Sequence, residues 1–365
     1  MGGRRNPLNP DAYWSHAMNE AAQNATVHLM LGGDVMLGRM VADKIRQHGP
    51  GYPLGGVAAI MRQADLTLVN LECAITRSSH LWGGAEKAFY FGAPPEAVQT
   101  LLDSGVGSVS LANNHILDFD INGLRDTLGT LRQHGIGCAG AGMSLNEACA
   151  PLFFQGNGIK FGMAAYCDHQ ADFAAKEHSP GIAYLDLADE AATLEQFRLG
   201  LTRIEQGHVD WPILSLHWGP NRVARPAPYF VRLAHAAIDM GYRILFGHSA
   251  HVFHGVEIYR GCPILYAAGD LVDDYYVDPW LKNDRQLLFE MELARDGLKR
   301  IRLYPVVIED CRARLASGEA FGWIAARATK LCAEMGSCVE REDGRLWIDC
   351  GQQPATGRQA ARFRP

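Results

Sequence analysis

Six short apolar runs in this sequence each end in a carboxylate, an amide or an imidazole, and this pattern restricts the possible folds more than any other feature. The runs are LMLGGD, LTLVNLE, SVSLANNH, ILSLHWG, RILFGHSAH and ILYAAGD. Their polar ends are Asp34, Asn70 and Glu72, Asn113 to His115, His217, His248 and His251, and Asp270. Because ligands bind where the carboxyl ends of strands meet in α/β sheets, we expect these side chains to share one edge.

The segments between these runs have helical periodicity. Amphipathic stretches occupy residues 94–103, 123–134, 191–206 and 228–240. Strands that alternate with helices predict an α/β sandwich. The later apolar runs, within 256–304, have no helices between them, so an antiparallel portion is expected there.

The composition of the chain predicts one main domain with smaller flanking segments. Residues 1–24 are expected to form an N-terminal arm, 25–310 the main domain, 311–352 a C-terminal appendage of a helix and a strand, and 353–365 a disordered tail. No stretch approaches the ~20 apolar residues that span a membrane. The nine cysteines include no CxxC pair, and the net charge is −6. We therefore expect a cytoplasmic protein with reduced thiols, without membrane or nucleic-acid partners.

The polar strand ends together offer the donors of a divalent metal site. Oxygen donors come from Asp34, Glu72 and Asn114, and imidazole nitrogens come from His217, His248 and His251. Mixed oxygen and nitrogen donors suit Mn, Fe or Zn, and an oxygen-weighted subset would suit Mg or Ca. No organic cofactor is expected.

Each of these residues also has a structural alternative. Asp34 could be a helix cap, Asn113 and Asn114 could form an Asx turn, and His217 could be a hydrogen-bonded core histidine. His254, the third histidine of the segment FGHSAHVFHG, is expected to lie outside the metal site. Individually these signals are weak, whereas the six together favour a ligand-binding edge.

Six ordered motifs also resemble a known family. GDVMLGR, NLE, ANNHILD, LHWG, GHSAHV and AAGD, between about Val27 and Tyr275, are similar to the poly-γ-glutamate capsule-synthesis (CapA) family, a branch of the calcineurin-like metallophosphoesterases. The resemblance implies a four-layer αββα sandwich of the metallophosphoesterase type, with a metal site at the strand ends. The small C-terminal appendage expected from the sequence lies outside the matched region.

The resemblance assigns roles to individual residues. It places Asp34 and His251 at a first metal position, Glu72 as the bridging carboxylate, Asn114, His217 and His248 at a second position, and His115 as the catalytic acid. Three positions depart from the phosphoesterase pattern: Met36 replaces a histidine ligand, Glu72 replaces an aspartate, and Asp270 replaces an asparagine. These departures favour one well-held metal ion over a complete two-metal hydrolytic site.

The resemblance favours a peptide epimerase, similar to the enzymes that invert an α-carbon during lasso-peptide maturation. His115 would be one proton-transfer group, with Asp270, His217, Asp273 or Asp274 as the other. Arg39 would bind a substrate carboxylate, and Trp218 and Tyr275 would contact a peptide or small-molecule substrate. Hydrolysis of a phosphoester or amide, a role in capsule biosynthesis, and a non-catalytic binding protein remain alternatives. The sequence leaves the oligomeric state open.

Overall fold

A computed structural model describes residues 25–342 and 344–350 of the chain. The expected N-terminal arm (1–24) and C-terminal tail (353–365) lie outside the described residues.

Strands form most of the regular structure in the described part of the chain. They are β1 Thr26–Val35, β2 Leu66–Leu71, β3 Ala74–Ile75, β4 Gly92–Ala93, β5 Ser108–Ser110, β6 Gly137–Ala139, β7 Ala141–Gly142, β8 Leu152–Gly156, β9 Ile159–Cys167, β10 Gly181–Ile182, β11 Trp211–His217, β12 Ile244–His248, β13 Val256–Tyr259, β14 Cys262–Leu265, β15 Asp270–Val272, β16 Arg285–Ala294, β17 Leu298–Glu309, β18 Arg312–Leu315, β19 Glu340–Glu342 and β20 Arg345–Asp349.

Helices connect and flank these strands. They are α1 Arg39–His48, α2 Ala58–Met61, α3 Val98–Asp103, α4 Asp120–Gln133, α5 Leu145–Ala148, α6 Glu190–Glu205, α7 Pro228–Met240 and α8 Gly318–Glu334, with short 3₁₀ turns at Pro95–Ala97 and Ala171–Phe173. The proline at the start of α7 suits the first helical position, where no backbone N–H is needed.

Two large sheets carry the fold. The first has ten strands in the order β19-β20-β17-β16-β1-β2-β5-β6, with β15 paired to β1 and β18 paired to β17. The second has six strands in the order β13-β14-β12-β11-β9-β8. Strands β1, β2, β5 and β6 of the first sheet are parallel, as are β9, β11, β12 and β14 of the second. Parallel neighbours bring their carboxyl ends to one edge of each sheet.

The two sheets share one apolar core. Leu29 and Leu31 of β1 belong to the same buried cluster as Phe161 of β9, Ile213 of β11 and Phe246 of β12. A second buried cluster joins the opposite face of the six-stranded sheet to α6 and α7. Helix α8 packs against β16 and β17 of the ten-stranded sheet. This arrangement is the expected αββα sandwich, and burial of both sheet faces stabilises it at roughly 25 cal/mol per Å² of apolar area.

The C-terminal segment continues the large sheet. Strands β18 and β20 both pair with β17 in antiparallel fashion, and β19 pairs with β20. The boundary at residue 310 stays a prediction. The expected antiparallel portion is present in the pairs β13–β14 and β16–β17, but β14 pairs in parallel with β12 and β15 with β1.

Gly33 allows β1 to approach the loop before β15. A Cβ atom at this position would lie 1.8 Å from the carbonyl oxygen of Gly269. We expect Gly33→Ala to lower the free energy of unfolding by about 3 kcal/mol or more, because backbone on both sides prevents relaxation. Gly129→Ala in α4 is the matched control, since no atom lies within 4 Å of the new Cβ. It should be neutral or stabilise the protein by about 0.5–1 kcal/mol. Urea unfolding of both variants would test the difference, and equal stability would contradict it.

Candidate metal centre

Two groups of side chains could hold a metal ion. Both lie where the carboxyl ends of the parallel strands of the two sheets meet. The first group is Asp34, His217 and His248, and the second is Asp34, Glu72, His251 and Asp270. Within each group, one donor atom from every residue lies within 4.8 Å of the others. The ten-stranded sheet contributes the carboxylates and the six-stranded sheet contributes His217 and His248, so the centre bridges the sandwich.

Asp34 belongs to both groups and is held by two hydrogen bonds. Its Oδ1 accepts from Asn70 Nδ2 at 2.7 Å, and its Oδ2 accepts from the backbone N–H of Ser249 at 3.1 Å. The parallel pairing of β1 with β2 and β15 sets Asp34 beside both Asn70 and Asp270. Both oxygens of Asp34 can therefore face cations while the carboxylate stays fixed.

The paired strands β11 and β12 end in His217 and His248, which are register partners. Their Nδ1 atoms are 2.9 Å apart, His248 Nε2 is 3.0 Å from Ser215 Oγ, and His217 Nε2 is 3.0 Å from Asn114 Oδ1. Burial lowers the pKa of His248 to about 3 and that of His217 well below its usual value. Both rings are therefore neutral, which is the form of imidazole that binds metals.

The carboxylates of the centre are buried, and this burial is the largest cause of the shifts in their pKa values. It raises the pKa of Asp34 to about 6, and it raises the pKa values of Glu72 and Asp270 well above their ordinary range. The neighbouring Asp34 charge raises the pKa of Glu72 further. A side-chain hydrogen bond with Asp273 partly opposes the rise in the pKa of Asp270. Buried carboxylates need a compensating charge, so the donor set fits a divalent cation.

His251 and Asp270 complete the second group. His251 Nδ1 lies 2.9 Å from Asp270 Oδ1 and 3.6 Å from Asp34 Oδ2. Ser249 and His251 both have positive φ values, 97° and 55°, so the loop after β12 adopts a strained turn beside the centre. Met36 is buried and its sulfur accepts the N–H of Gly38. Asp270, on the strand paired with β1, contributes the third carboxylate of this second group, after Asp34 and Glu72.

His115 lies outside both donor groups, in a different hydrogen-bonded arrangement. Its Nδ1 is 2.6 Å from Asp118 Oδ2, which also accepts the N–H of Phe91 at 2.7 Å, and Lys87 contacts the other Asp118 oxygen. The ring stacks on Phe91 with centroids 3.7 Å apart. Burial lowers the pKa of His115 to about 4. Among the described residues no partner occupies His115 Nε2, so this atom is available for proton transfer.

The three residues expected to contact substrate already have partners within the chain. Arg39 Nε is 3.3 Å from Asp274 Oδ2, and its guanidinium covers the rings of Phe89 and Phe91. Trp218 Nε1 donates to the carbonyl oxygen of Tyr266 at 2.9 Å. Tyr275 Oη donates to Glu72 Oε2 at 3.2 Å, so Tyr275 contacts the metal-donor group directly.

The sequence did not single out several residues that orient the centre. Asn70 belongs to the NLE motif but has no predicted role, and Asp118 follows His115 by three residues. Asp168 and His169 follow β9, as the other polar residues follow their strands, and the segment YCDH was the available signal. His254 contacts neither donor group: its Nε2 lies 2.8 Å from the carbonyl oxygen of Val223.

The sequence matches the family described as bacterial capsule synthesis protein PGA_cap over residues 28–275. This is most of the described chain and includes every metal-donor residue. The chain belongs to this capsule-synthesis family. The resemblance inferred from the six motifs is thereby confirmed.

Two members of the capsule-synthesis family illustrate the range of similarity. A probable polyglutamine synthesis accessory protein of Mycobacterium tuberculosis is 30% identical, with 88% of this chain and 96% of that protein covered. The PGA biosynthesis protein CapA of Bacillus subtilis is 28% identical, with 76% and 70% covered.

Among solved structures, a 5'-nucleotidase precursor from Thermus thermophilus has a TM-score of 0.41 and 13% identity, with 86% of this chain and 60% of that chain covered. Within the described residues, no helix is both long and apolar enough to cross a membrane.

Proposed function

We propose that this member of the capsule-synthesis family is a metal-dependent hydrolase that cleaves an amide or phosphoester bond. The observation that carries the proposal is the position of Asp34 in both donor groups. A carboxylate shared in this way is the arrangement that holds two cations a short distance apart. The sequence had favoured one metal ion, whereas the side chains offer donors for two.

The bound cations and His115 would have separate roles in the reaction. When bound, divalent cations would polarise the substrate and provide a hydroxide nucleophile near neutral pH. His115 would accept a proton at Nε2 from the attacking water and pass it to the leaving group, because Asp118 holds the other ring proton on Nδ1 and fixes the ring. The mixture of carboxylate and imidazole donors favours Mn, Fe or Zn over Mg.

Epimerisation of a peptide residue is the second candidate function. It requires two proton-transfer groups on opposite faces of the α-carbon. Two of the expected partners of His115, Asp270 and His217, lie in the donor groups. Asp273 Oδ1 accepts the backbone N–H of Tyr275 at 2.8 Å. Hydrolysis needs one proton donor beside the cations, which is why we favour it.

The test uses the full chain, stripped with a chelator and reloaded with Mn²⁺. A bis-aryl phosphodiester and a γ-glutamyl anilide serve as probes of the two bond types. We expect turnover of at least one probe, lost on chelation and restored by the metal. If neither probe turns over with Mn²⁺, Fe²⁺ or Zn²⁺, the hydrolase proposal is wrong. Incorporation of deuterium at an α-carbon of a glutamyl peptide in D₂O, without cleavage, would then identify an epimerase.

A further inference from the structure

An open cavity of about 450 Å³ lies beside the metal centre. Its lining includes the polar side chains of Asn114, Asp168 and His169 and the rings of Tyr229 and Phe230. Because Asn114 also contacts His217, the cavity adjoins the first donor group. A substrate bound at the centre would therefore extend into this space.

The tautomer of His169 is fixed by its neighbour. His169 Nδ1 makes a short hydrogen bond with Asp168 Oδ1, and a carboxylate can only accept, so the proton is on Nδ1. Asp168 Oδ2 accepts the N–H of Gly219 at 3.0 Å, which prevents the carboxylate from rotating away. His169 Nε2 therefore carries a lone pair. Its partner in the chain is Ser249 Oγ at 3.5 Å, at the outer limit of a hydrogen bond.

The Asn114 side chain offers a hydrogen-bond donor where His169 offers an acceptor. Its Oδ1 lies 3.0 Å from His217 Nε2, which leaves Nδ2 as the free end of the side chain. Within the described part of the chain, Asn114 Nδ2 donates no hydrogen bond. The cavity thus contains one fixed acceptor, on His169, and one fixed donor, on Asn114. A secondary amide has the matching pair, an N–H and a carbonyl oxygen.

We propose that this cavity binds a secondary amide of the substrate, with His169 Nε2 accepting from the amide N–H and Asn114 Nδ2 donating to the carbonyl oxygen. Asp168 is a positioning residue that acts through His169. The inference rests on the proposed function and narrows it, because a phosphodiester or an ester has no N–H for His169. His169 is therefore the residue that selects amides.

The experiment measures binding, so it does not depend on turnover. Isothermal titration calorimetry would give the Kd of the full chain, kept metal-free so that neither ligand is cleaved, for a capped γ-linked diglutamate and for its ester analogue, in which oxygen replaces the N–H. We expect the protein to bind the amide about 3- to 10-fold more tightly than the ester, the effect of one hydrogen bond. His169→Ala should bring the ratio of the two Kd values to about 1.

Asp168→Asn tests the tautomer without removing the imidazole. The oxygen of the new amide can still accept from Gly219, while its nitrogen would donate to His169 Nδ1 and move the ring proton to Nε2. The preference for the amide over the ester should disappear, which a purely structural role for Asp168 would not produce. His178→Ala is the matched control, because the His178 side chain is 88% exposed and lies outside the cavity. Its Kd ratio should equal that of the wild type.

Three results would overturn the inference: equal affinity of the wild type for amide and ester, no binding of either, or an unchanged ratio in both variants. A wild-type preference for the amide that depends on His169, in a protein that cleaves neither probe, would keep this inference and exclude the hydrolase. Cleavage of the phosphodiester by a protein that binds amide and ester equally would support the hydrolase and exclude the amide-binding inference.

Discussion

Asp34→Asn is expected to remove metal binding and activity together, because Asp34 belongs to both donor groups. Substitution of groups that merely orient metal ligands costs roughly 10- to 100-fold in affinity, so loss of a shared ligand should exceed about 100-fold. Activity at a fixed Mn²⁺ concentration should fall by about 1000-fold, equivalent to about 4 kcal/mol of transition-state stabilisation. Elemental analysis of the purified variant would measure the metal, and the probe assay would measure the activity.

Thermal unfolding separates loss of the metal from loss of the fold. In EDTA, Asp34→Asn removes one buried negative charge and one of two hydrogen bonds, and these changes oppose each other. The Tm of the metal-free variant should therefore stay close to that of the metal-free wild type. Mn²⁺ at about 100 times its Kd should stabilise the wild type by about 2.7 kcal/mol and leave the variant unchanged. Asp43→Asn, on the exposed face of α1, is the control. A variant that retains the metal-dependent rise in Tm would contradict the shared-ligand assignment.

His115→Gln is expected to slow the reaction while leaving the metal in place. Removal of a general acid costs about 100- to 10,000-fold in rate. His115 lies outside both donor groups, so the metal content should equal that of the wild type. Glutamine keeps a polar side chain near Asp118 but cannot deliver a proton at neutral pH. The measurement is kcat with the responsive probe, together with elemental analysis of the same preparation.

The control for His115→Gln is His178→Gln, which changes an exposed histidine in the same way. It should leave both kcat and metal content unchanged. A His115→Gln protein with wild-type kcat would exclude His115 as the proton donor. A protein that also lost its metal would instead show that His115 supports the donor groups.

Local sequence was sufficient for the elements whose ends carry their own signals. The predicted stretch 228–240 agrees with the bounds of α7, which begins at a proline and is followed by Gly241 with φ of 129°. Strand β1 continues through Gly32 and Gly33 to Val35. Two glycines normally weaken a strand, but here close pairing with β15 overrides that preference.

Interactions between distant segments account for what the sequence did not predict. A strand of three residues such as β15 carries almost no periodicity, and its parallel pairing with β1 depends on the rest of the sheet. That pairing places Asp270 beside Asp34. The motifs identified the donor residues and His115, whereas Asp118 and Asp168, which orient His115 and His169, were not singled out. Both pairs are close in sequence, but only the folded sheets show that these carboxylates lie beside the metal centre.

The origin of the donors in both sheets has a consequence for assembly of the protein. His217 and His248 reach Asp34 only when the six-stranded sheet lies correctly on the ten-stranded one. A one-residue slip in the register of β11 or β12 would turn its histidine to the opposite face. The fraction of protein that binds the metal therefore measures whether the two sheets have packed in the correct register. A bound ion would link residues of the two sheets, and it would slow their separation during unfolding in addition to its role in the reaction.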